Sequence, residues 1–251
     1  MRNFIVSSTL ILAVFSACRT PGERSSAALK QSQNASACDP KGVLAELNPG
    51  GLFATKRVLY NQPRVEKDWI HPAMTEKSSA GNLGLFHNFV PDEQQAKKTK
   101  KIISALAILT KDLVSAKSGT TEISPDKAEL TGKSDITNIF SIDSEALLRL
   151  KTIKFDVPSK SSNIVILKGS TPALRSVVIA GDVSSDKLLF VLPEAGTFRV
   201  QGEKFFGTVI APDTAVFMES TFNGSIYAGE ISVREPMTRS FYNGCLLPEK
   251  K

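Results

Sequence analysis

The chain has few of the residues that usually carry chemistry. Its 251 residues include two histidines, three cysteines and one tryptophan. His71 and His87 have no cysteine, histidine or carboxylate at metal-ligand spacing, so the sequence predicts no metal site and no cofactor. It also lacks a G-x-S-x-G elbow, a P-loop and a glycine-rich dinucleotide fingerprint. These absences favour a protein that is not an enzyme.

The carboxylates give no clear acid/base pair either. Most of them fall on predicted turns or outward strand positions, where a solvated surface is the favoured interpretation. These carboxylates are Asp182, Asp186, Glu194, Asp213, Glu219 and Glu230. Asp126, Asp135 and Asp143 lie in turns that could hold Ca²⁺, but they lack the dense oxygen-ligand spacing of a dedicated loop.

The charge balance is basic but dispersed. The formal net charge is +6, and the only dense run is "KKTKK" at 97–101. A solvated helix face is favoured there over a nucleic-acid patch, so no nucleic-acid partner is predicted. With 41% hydrophobic residues, the chain can bury a core in one domain of ordinary size or in two small ones.

The first residues predict export. Arg2 precedes the largely apolar run "FIVSSTLILAVFSA", which is too short to span a membrane comfortably, so 1–17 is interpreted as a signal peptide. The stretch "FSAC" resembles a bacterial lipobox, which implies lipidation of Cys18 and a membrane anchor. Phe15 departs from the usual leucine, and cleavage of an ordinary signal peptide is the alternative. Arg19 is not the retention-type aspartate, which favours the outer membrane.

The segment 18–37 is polar and rich in Ser, Ala and Gln, which predicts a flexible tether ahead of a single domain at 38–251. With Cys18 lipidated, Cys38 and Cys245 remain in an oxidising compartment. We expect a disulfide that joins the two ends of the domain, and two free thiols are the alternative.

One amphipathic helix is predicted over about 92–117. Apolar residues recur at helical spacing, Pro91-Asp92 supplies a start signal and Gly119 a stop. The apolar stripe consists of Ile102, Ile103, Leu106, Leu109, Leu113 and Val114. We expect it to face the core, with a lipid-surface helix as the alternative.

After 119 the pattern predicts strands, over about 120–235. The phrase Gly207-Thr208-Val209-Ile210-Ala211 returns further along the chain as Gly224-Ser225-Ile226-Tyr227-Ala228. Pro193, Pro212 and Gly229 punctuate related runs at nearly equal intervals. Such an interval suits one coil of a β-solenoid, with Pro212 and Gly229 at equivalent corners. The outward residue of each strand pair is a candidate for a binding surface, and an ordinary sandwich remains the alternative.

The residues from about 100 to 235 resemble the choice-of-anchor A family domain, a bacterial extracellular module described as adhesive or collagen-binding. The resemblance rests on Asn138-Ile139-Phe140, on 158–169, on 191–198 and on the doubled phrase. The family's long glycine-rich front section is missing in 39–90. The resemblance implies a short right-handed β-solenoid with the helix packed alongside, and no catalytic residues.

Together these features predict a non-enzymatic, lipid-anchored envelope protein with a surface adhesion module for a protein or glycan ligand. A structural envelope lipoprotein is the alternative, and a carbohydrate-active β-helix enzyme is less favoured. Polysaccharide-cleaving solenoids group carboxylates in one groove, and the sequence predicts no such group at one-coil spacing. Sequence leaves the ligand and the binding residues open.

Overall fold

Strands dominate the secondary structure. The computed structural model describes residues 51–61, 67–77, 87–116 and 119–246, all within one unit, Ser36–Lys251. The predicted signal peptide and tether lie outside these residues. The strands are β1 Leu52–Tyr60, β2 Met74–Lys77, β3 His87–Pro91, β4 Thr120–Ile123, β5 Lys127–Thr131, β6 Thr137–Asp143, β7 Thr152–Asp156, β8 Ser162–Lys168, β9 Ala173–Arg175, β10 Val178–Ala180, β11 Leu188–Val191, β12 Thr197–Val233 and β13 Met237–Arg239. The prediction of a mainly β protein is confirmed.

The helix predicted over about 92–117 corresponds to α1, Ala96–Ser115, which follows a short 3-10 turn at Glu93–Gln95. The carboxylate of Asp92 accepts the backbone N–H of Gln94 at 2.8 Å and so marks the start of that turn. A second, one-turn helix, α2, spans Ser144–Leu147. Within the described residues, no helix has both the length and the hydropathy that a membrane span requires.

The apolar stripe of α1 is narrower than predicted. Its buried residues are Ile102, Leu106, Leu109 and Leu113, one helical turn apart. Ile103 is half-buried and packs against the core, whereas Val114 is exposed, which corrects the prediction for Val114. Leucines and isoleucines of the stripe belong to the same buried cluster as the strands, so α1 lies against the sheet.

The main sheet is built by parallel pairing of strands that are distant in sequence. Its order is β2-β3-β1-β12-β11-β8-β6, and β9 and β13 also pair with β12. Thr137 lies opposite Ser162, Asn163 opposite Leu188, and Leu189 opposite Thr208. Successive strands therefore return to the same register at similar intervals along the chain.

The two copies of the doubled phrase lie side by side within β12. A Cβ atom added to Gly224 would overlap the carbonyl oxygen of Gly207, and one added to Gly229 would lie 3.2 Å from the carbonyl oxygen of Pro212. The strand residues of both copies are buried, although the sequence predicts that one of each pair faces outward. The outward prediction is wrong because both residues of each pair belong to the buried cluster that also contains the stripe of α1.

The first described strand, β1, adds to the sheet beside the end of β12. β1 pairs in parallel with the end of β12, with Leu52 opposite Ile226 and Tyr60 opposite Val233. The register shifts between Ala54 and Arg57, which indicates a bulge in β1. β3 then pairs antiparallel with β1, and β2 antiparallel with β3. A segment with little sequence signal thus supplies three strands.

A second, four-stranded sheet has the order β10-β7-β5-β4. β4 and β5 form an antiparallel hairpin, whereas β5, β7 and β10 pair in parallel. On its outer side, Glu129 accepts hydrogen bonds from Lys154 at 2.9 Å and from Lys127 at 3.1 Å. These two bonds, with that of Lys154 the larger cause, hold the pKa of Glu129 below its usual value.

The core combines stacked phenylalanines with a few buried amides. The ring of Phe205 lies 5.0 Å from that of Phe190 and 5.9 Å from that of Phe222, centroid to centroid. Each such buried ring stabilises the fold by roughly 1.5–3 kcal/mol. The side-chain amide of Asn138 donates to that of Asn163 on the neighbouring strand at 3.4 Å. Asn138 and Asn163 lie opposite each other in the paired strands, and their contact supplies the hydrogen-bond partner that a buried polar group requires.

Candidate binding face

One side of the stack keeps its outward side chains accessible to solvent. It is formed by β9, by three successive stretches of β12 and by β1, which lie next to one another, and we call it the ladder face. The ladder face consists of Arg57, Arg175, Arg199, Gln201, Ala215, Phe217, Glu219, Glu230, Ser232 and Arg234.

Alternation along β12 produces this face. In the stretch 197–201, Phe198 and Val200 are buried and Arg199 is exposed. In the stretch 215–219, Val216 and Met218 are buried, whereas Ala215, Phe217 and Glu219 are partly exposed. A period of two is expected for a strand with one side on the core and the other in solvent.

Backbone hydrogen bonds fix the register of the rows. The N–H of Ala215 donates to Gly196 and that of Arg234 donates to Met218, both at 3.0 Å. In a parallel pair, the first bond sets Ala215 opposite residue 197, and the second sets Arg234 opposite Glu219. Arg175 lies opposite Gln201, and Arg57 lies opposite Glu230. Side chains from distant parts of the chain therefore form continuous rows across the strands.

Glu219 is the centre of the polar contacts on the ladder face. Its carboxylate accepts Arg199 at 3.1 Å, Arg234 at 2.9 Å and the amide of Gln201 at 2.7 Å. Its side chain is 14% exposed, so these donors largely enclose it. Three charge-assisted hydrogen bonds on one carboxylate hold the two arginines in fixed positions.

Two further contacts involve the arginines of this face. Arg57 donates to Glu230 at 2.7 Å, and the guanidinium of Arg199 lies 5.0 Å from the centre of the Phe217 ring. The second distance is within the range of a cation–π interaction. Three of the four arginines on the ladder face, Arg57, Arg199 and Arg234, are therefore held in position before a ligand binds.

Of the predicted site residues, the structure describes only one. Cys18 and Cys38 lie outside the described residues, so lipidation and the disulfide stay predictions. Cys245 donates its N–H to Ser162 Oγ at 2.7 Å, and its carbonyl oxygen accepts Thr137 at 3.1 Å and Tyr242 at 2.9 Å. The end of the domain is thus held to the strand ends of β6 and β8.

The sequence pattern places both histidines in loops, which holds for His71 but not for His87. His71 is fully buried, and its Nδ1 accepts the N–H of Ala73 at 3.0 Å. His87 begins β3 rather than lying in a loop, and its Nδ1 lies 2.7 Å from the carboxylate of Glu76. Antiparallel pairing of β2 with β3 brings this carboxylate beside His87. In the described part of the chain, no three metal-ligating side chains come together.

Glu194 and Asp213 follow Pro193 and Pro212 in neighbouring coils, and both are exposed. They line one 330 Å³ cavity beside α1. Asp126, Asp135 and Asp143 are exposed, as a solvated surface requires.

Two larger cavities lie away from the ladder face or at its margin. A cleft of 590 Å³ is lined by His71, Glu76 and Arg239 among others. A groove of 650 Å³ separates β10 from the Gly202–Phe206 part of β12, and the side chains of Val178 and Phe206 line it. The cleft is lined by one arginine and the groove by none, whereas the ladder face carries four.

Residues 75–237 match the family model described as "Putative Ice-binding-like adhesive domain". The chain belongs to that family. No curated protein and no solved structure matches the chain. The match supports an adhesive domain, whereas the finer resemblance to choice-of-anchor A stays a prediction.

The adhesive domain contains most of the ladder face. The match begins within β2 and ends at the start of β13, so it includes Arg175 through Arg234, and β1 with Arg57 lies outside it. Sequence reasoning placed Glu219 and Glu230 on a solvated surface without assigning them partners. The alternating runs "TFRVQ" and "AVFME" carry the signal for the face, but its ion pairs join residues 20 and 173 positions apart.

Proposed function

We propose that the protein is a non-enzymatic adhesion module, held to the bacterial envelope by a lipid on Cys18, which binds an external ligand through the ladder face. The observation that carries this proposal is the ordered, open array of arginines and one phenylalanine on a member of an adhesive-domain family. Arginine and aromatic side chains are enriched in binding interfaces and in their energetic hot spots.

The rigidity of the ladder face supports this role. Association normally costs roughly 0.5–1.5 kcal/mol for each long side chain that becomes immobilised. Arg199, Arg234 and Arg57 are already held by Glu219 and Glu230, so much of this cost is met when the protein folds. A flat face on backbone-paired strands also keeps its shape under load better than a loop does.

The fold we propose is the short right-handed β-solenoid of the choice-of-anchor A type, with α1 packed alongside. Its support is the parallel pairing of successive strands, β6 with β8, β8 with β11 and β11 with β12. Parallel strand connections within one sheet are right-handed in nearly all proteins. In such a stack every coil contributes one strand to the ladder face, so the face extends with each added coil.

The anchor we propose is an outer-membrane lipid anchor, with residues 18–37 as a tether. The lipobox-like "FSAC" and the polar composition of the tether support it. A tether of this kind would let the domain reach a ligand beyond the membrane surface.

Cells test the proposal directly. A strain that makes the protein should retain more cells on a ligand-coated surface than its deletion strain, and external protease should remove both the protein and the retention. In the Cys18→Ser variant the protein should leave the membrane fraction and retention should fall to the deletion level. Equal retention with and without the protein, on surfaces coated with matrix proteins, neutral glycans and acidic polysaccharides, would refute the adhesive role.

A further inference from the structure

The ladder face is richer in cations than the rest of the chain. It carries four arginines, Arg57, Arg175, Arg199 and Arg234, against two carboxylates. The whole chain has 31 basic and 25 acidic residues, which is a lower ratio of basic to acidic residues. The face therefore complements a negatively charged partner.

The two carboxylates on the face are shielded, whereas the arginines are not. The side chains of Glu219 and Glu230 are 14% and 25% exposed, but those of Arg57 and Arg199 are 49% and 44% exposed. Each guanidinium has five N–H donors in a planar fork. Arg57 bonds to its glutamate through Nη2 and Arg199 through Nη1 alone, so each contact uses one edge of the group. The two carboxylates therefore hold Arg57, Arg199 and Arg234 in position and leave the solvent-facing edges of the guanidinium groups positively charged.

The cations are spread over a length that suits a polymer. Arg175, Arg199, Arg234 and Arg57 lie on the first, second, fourth and fifth of five adjacent strands. In the strand register Arg175 and Arg234 share one row, Arg199 lies in the next row and Arg57 in the row after that. With strands about 4.8 Å apart, the four cations extend over about 19 Å across the strands. A single small anion would meet one or two of these groups, whereas a chain with repeated anionic groups would meet all four.

The middle strand of the ladder face contributes an aromatic ring among the arginines. Phe217 lies between the cations, and Arg199 is positioned over its ring. A flat, partly apolar surface of this kind packs against the C–H side of a sugar ring. Guanidinium groups bind carboxylate and sulfate in a bidentate manner. The combination of four arginines with a central ring fits an acidic glycan better than an acidic peptide of irregular shape.

We propose that the ladder face binds an acidic polysaccharide, whose carboxylate or sulfate groups pair with the four arginines while a sugar ring packs on Phe217. This inference rests on the proposed function, because it names the ligand class of the same face.

The test measures binding of the full chain to three immobilised polymers: polygalacturonate, dextran sulfate and uncharged dextran. We expect binding to one or both polyanions, weakening as salt rises from 50 to 200 mM, and none to uncharged dextran. Preference for polygalacturonate would assign carboxylate groups as the ligand, and preference for dextran sulfate would assign sulfate.

Two double variants with the same loss of charge locate the site. In the first variant, Arg57→Gln is combined with Arg175→Gln on the ladder face. In the second variant, Lys133→Gln is combined with Lys160→Gln in the turns that lead into β6 and β8. Each exposed ion pair changes affinity by about two- to five-fold, so the first variant should bind about 4- to 25-fold more weakly. The second should stay within about two-fold of the unmodified protein, and both should keep its circular dichroism spectrum.

Three results would overturn the inference. Equal weakening in both variants would mean general charge attraction, and capture of anionic phospholipid vesicles without polysaccharide binding would mean a lipid ligand. Binding to a neutral glycan or a protein that still depends on the ladder face would refute the acidic ligand and leave the adhesive function standing. Failure of the adhesive function itself would instead appear as cells that adhere to no coated surface.

Discussion

Replacing Gly224 with alanine tests the stacking of the doubled phrase. Gly224 lies against Gly207 of the neighbouring stretch, where an added Cβ atom would overlap the carbonyl oxygen of Gly207. The same atom would lie 2.7 Å from Cζ of Phe222 and 2.8 Å from the carbonyl carbon of Gly207. The main obstacle is backbone, so the two stretches of β12 would have to separate.

The expected cost follows from these contacts. Overpacking a dense core costs typically 1–3 kcal/mol, and a clash with backbone belongs at the upper end, about 3 kcal/mol. Alanine also restricts the unfolded chain, which offsets roughly 0.4–1 kcal/mol. The net loss is therefore about 2 kcal/mol. For a domain of this size that lowers the melting temperature by about 4–8 °C.

Gly196 provides the matched control. A Cβ atom there would have its nearest neighbour at 3.8 Å, the carbonyl oxygen of Ser170, which is ordinary contact. Gly196→Ala should leave the melting temperature unchanged or raise it slightly. Differential scanning calorimetry of both variants is the assay. If Gly224→Ala melted at the temperature of Gly196→Ala, the side-by-side placement of the doubled phrase would be wrong.

Two further predictions concern ionisation and the cysteines. Burial raises the pKa of Tyr227 and Tyr242 above the ordinary value of about 10, so their contribution to stability is complete below about pH 10 and is lost as the pH rises beyond it. Tyrosinate absorbance at 295 nm should therefore rise together with the loss of the circular dichroism signal, and full titration in an intact fold would contradict their burial. We also predict that the exported, denatured protein shows no free thiol until reduction releases Cys38 and Cys245; two reactive thiols before reduction would exclude the disulfide.

The sequence was informative where local patterns decide structure. The apolar stripe of α1, the strand runs after 119 and the neighbouring positions of Gly207 and Gly224 all follow from spacing within a short window. Each depends on residues close in the chain or on a direct repeat, so one sequence is enough to detect it.

Long-range pairing was beyond the sequence. β1 pairs with residues about 170 positions away, and its segment carries no repeat that indicates this partner. The prediction that one residue of each strand pair of the doubled phrase faces outward was also wrong, because periodicity shows that a strand is apolar but does not show that both of its sides are buried. The contact between Arg57 and Glu230 depends on the same distant pairing and could not be inferred locally.

The most direct test of the proposed binding surface is to block the ladder face without unfolding the domain. Ala215 lies in the middle of the face, and Ala215→Trp would cover it with a large ring. Val178→Trp places the same ring on the exposed edge of the second sheet, where the native side chain is 61% exposed. In a flow-cell retention assay with cells that make equal amounts of each protein, we expect loss of retention for Ala215→Trp and full retention for Val178→Trp. Full retention by Ala215→Trp would contradict the claim that the ladder face is the binding surface.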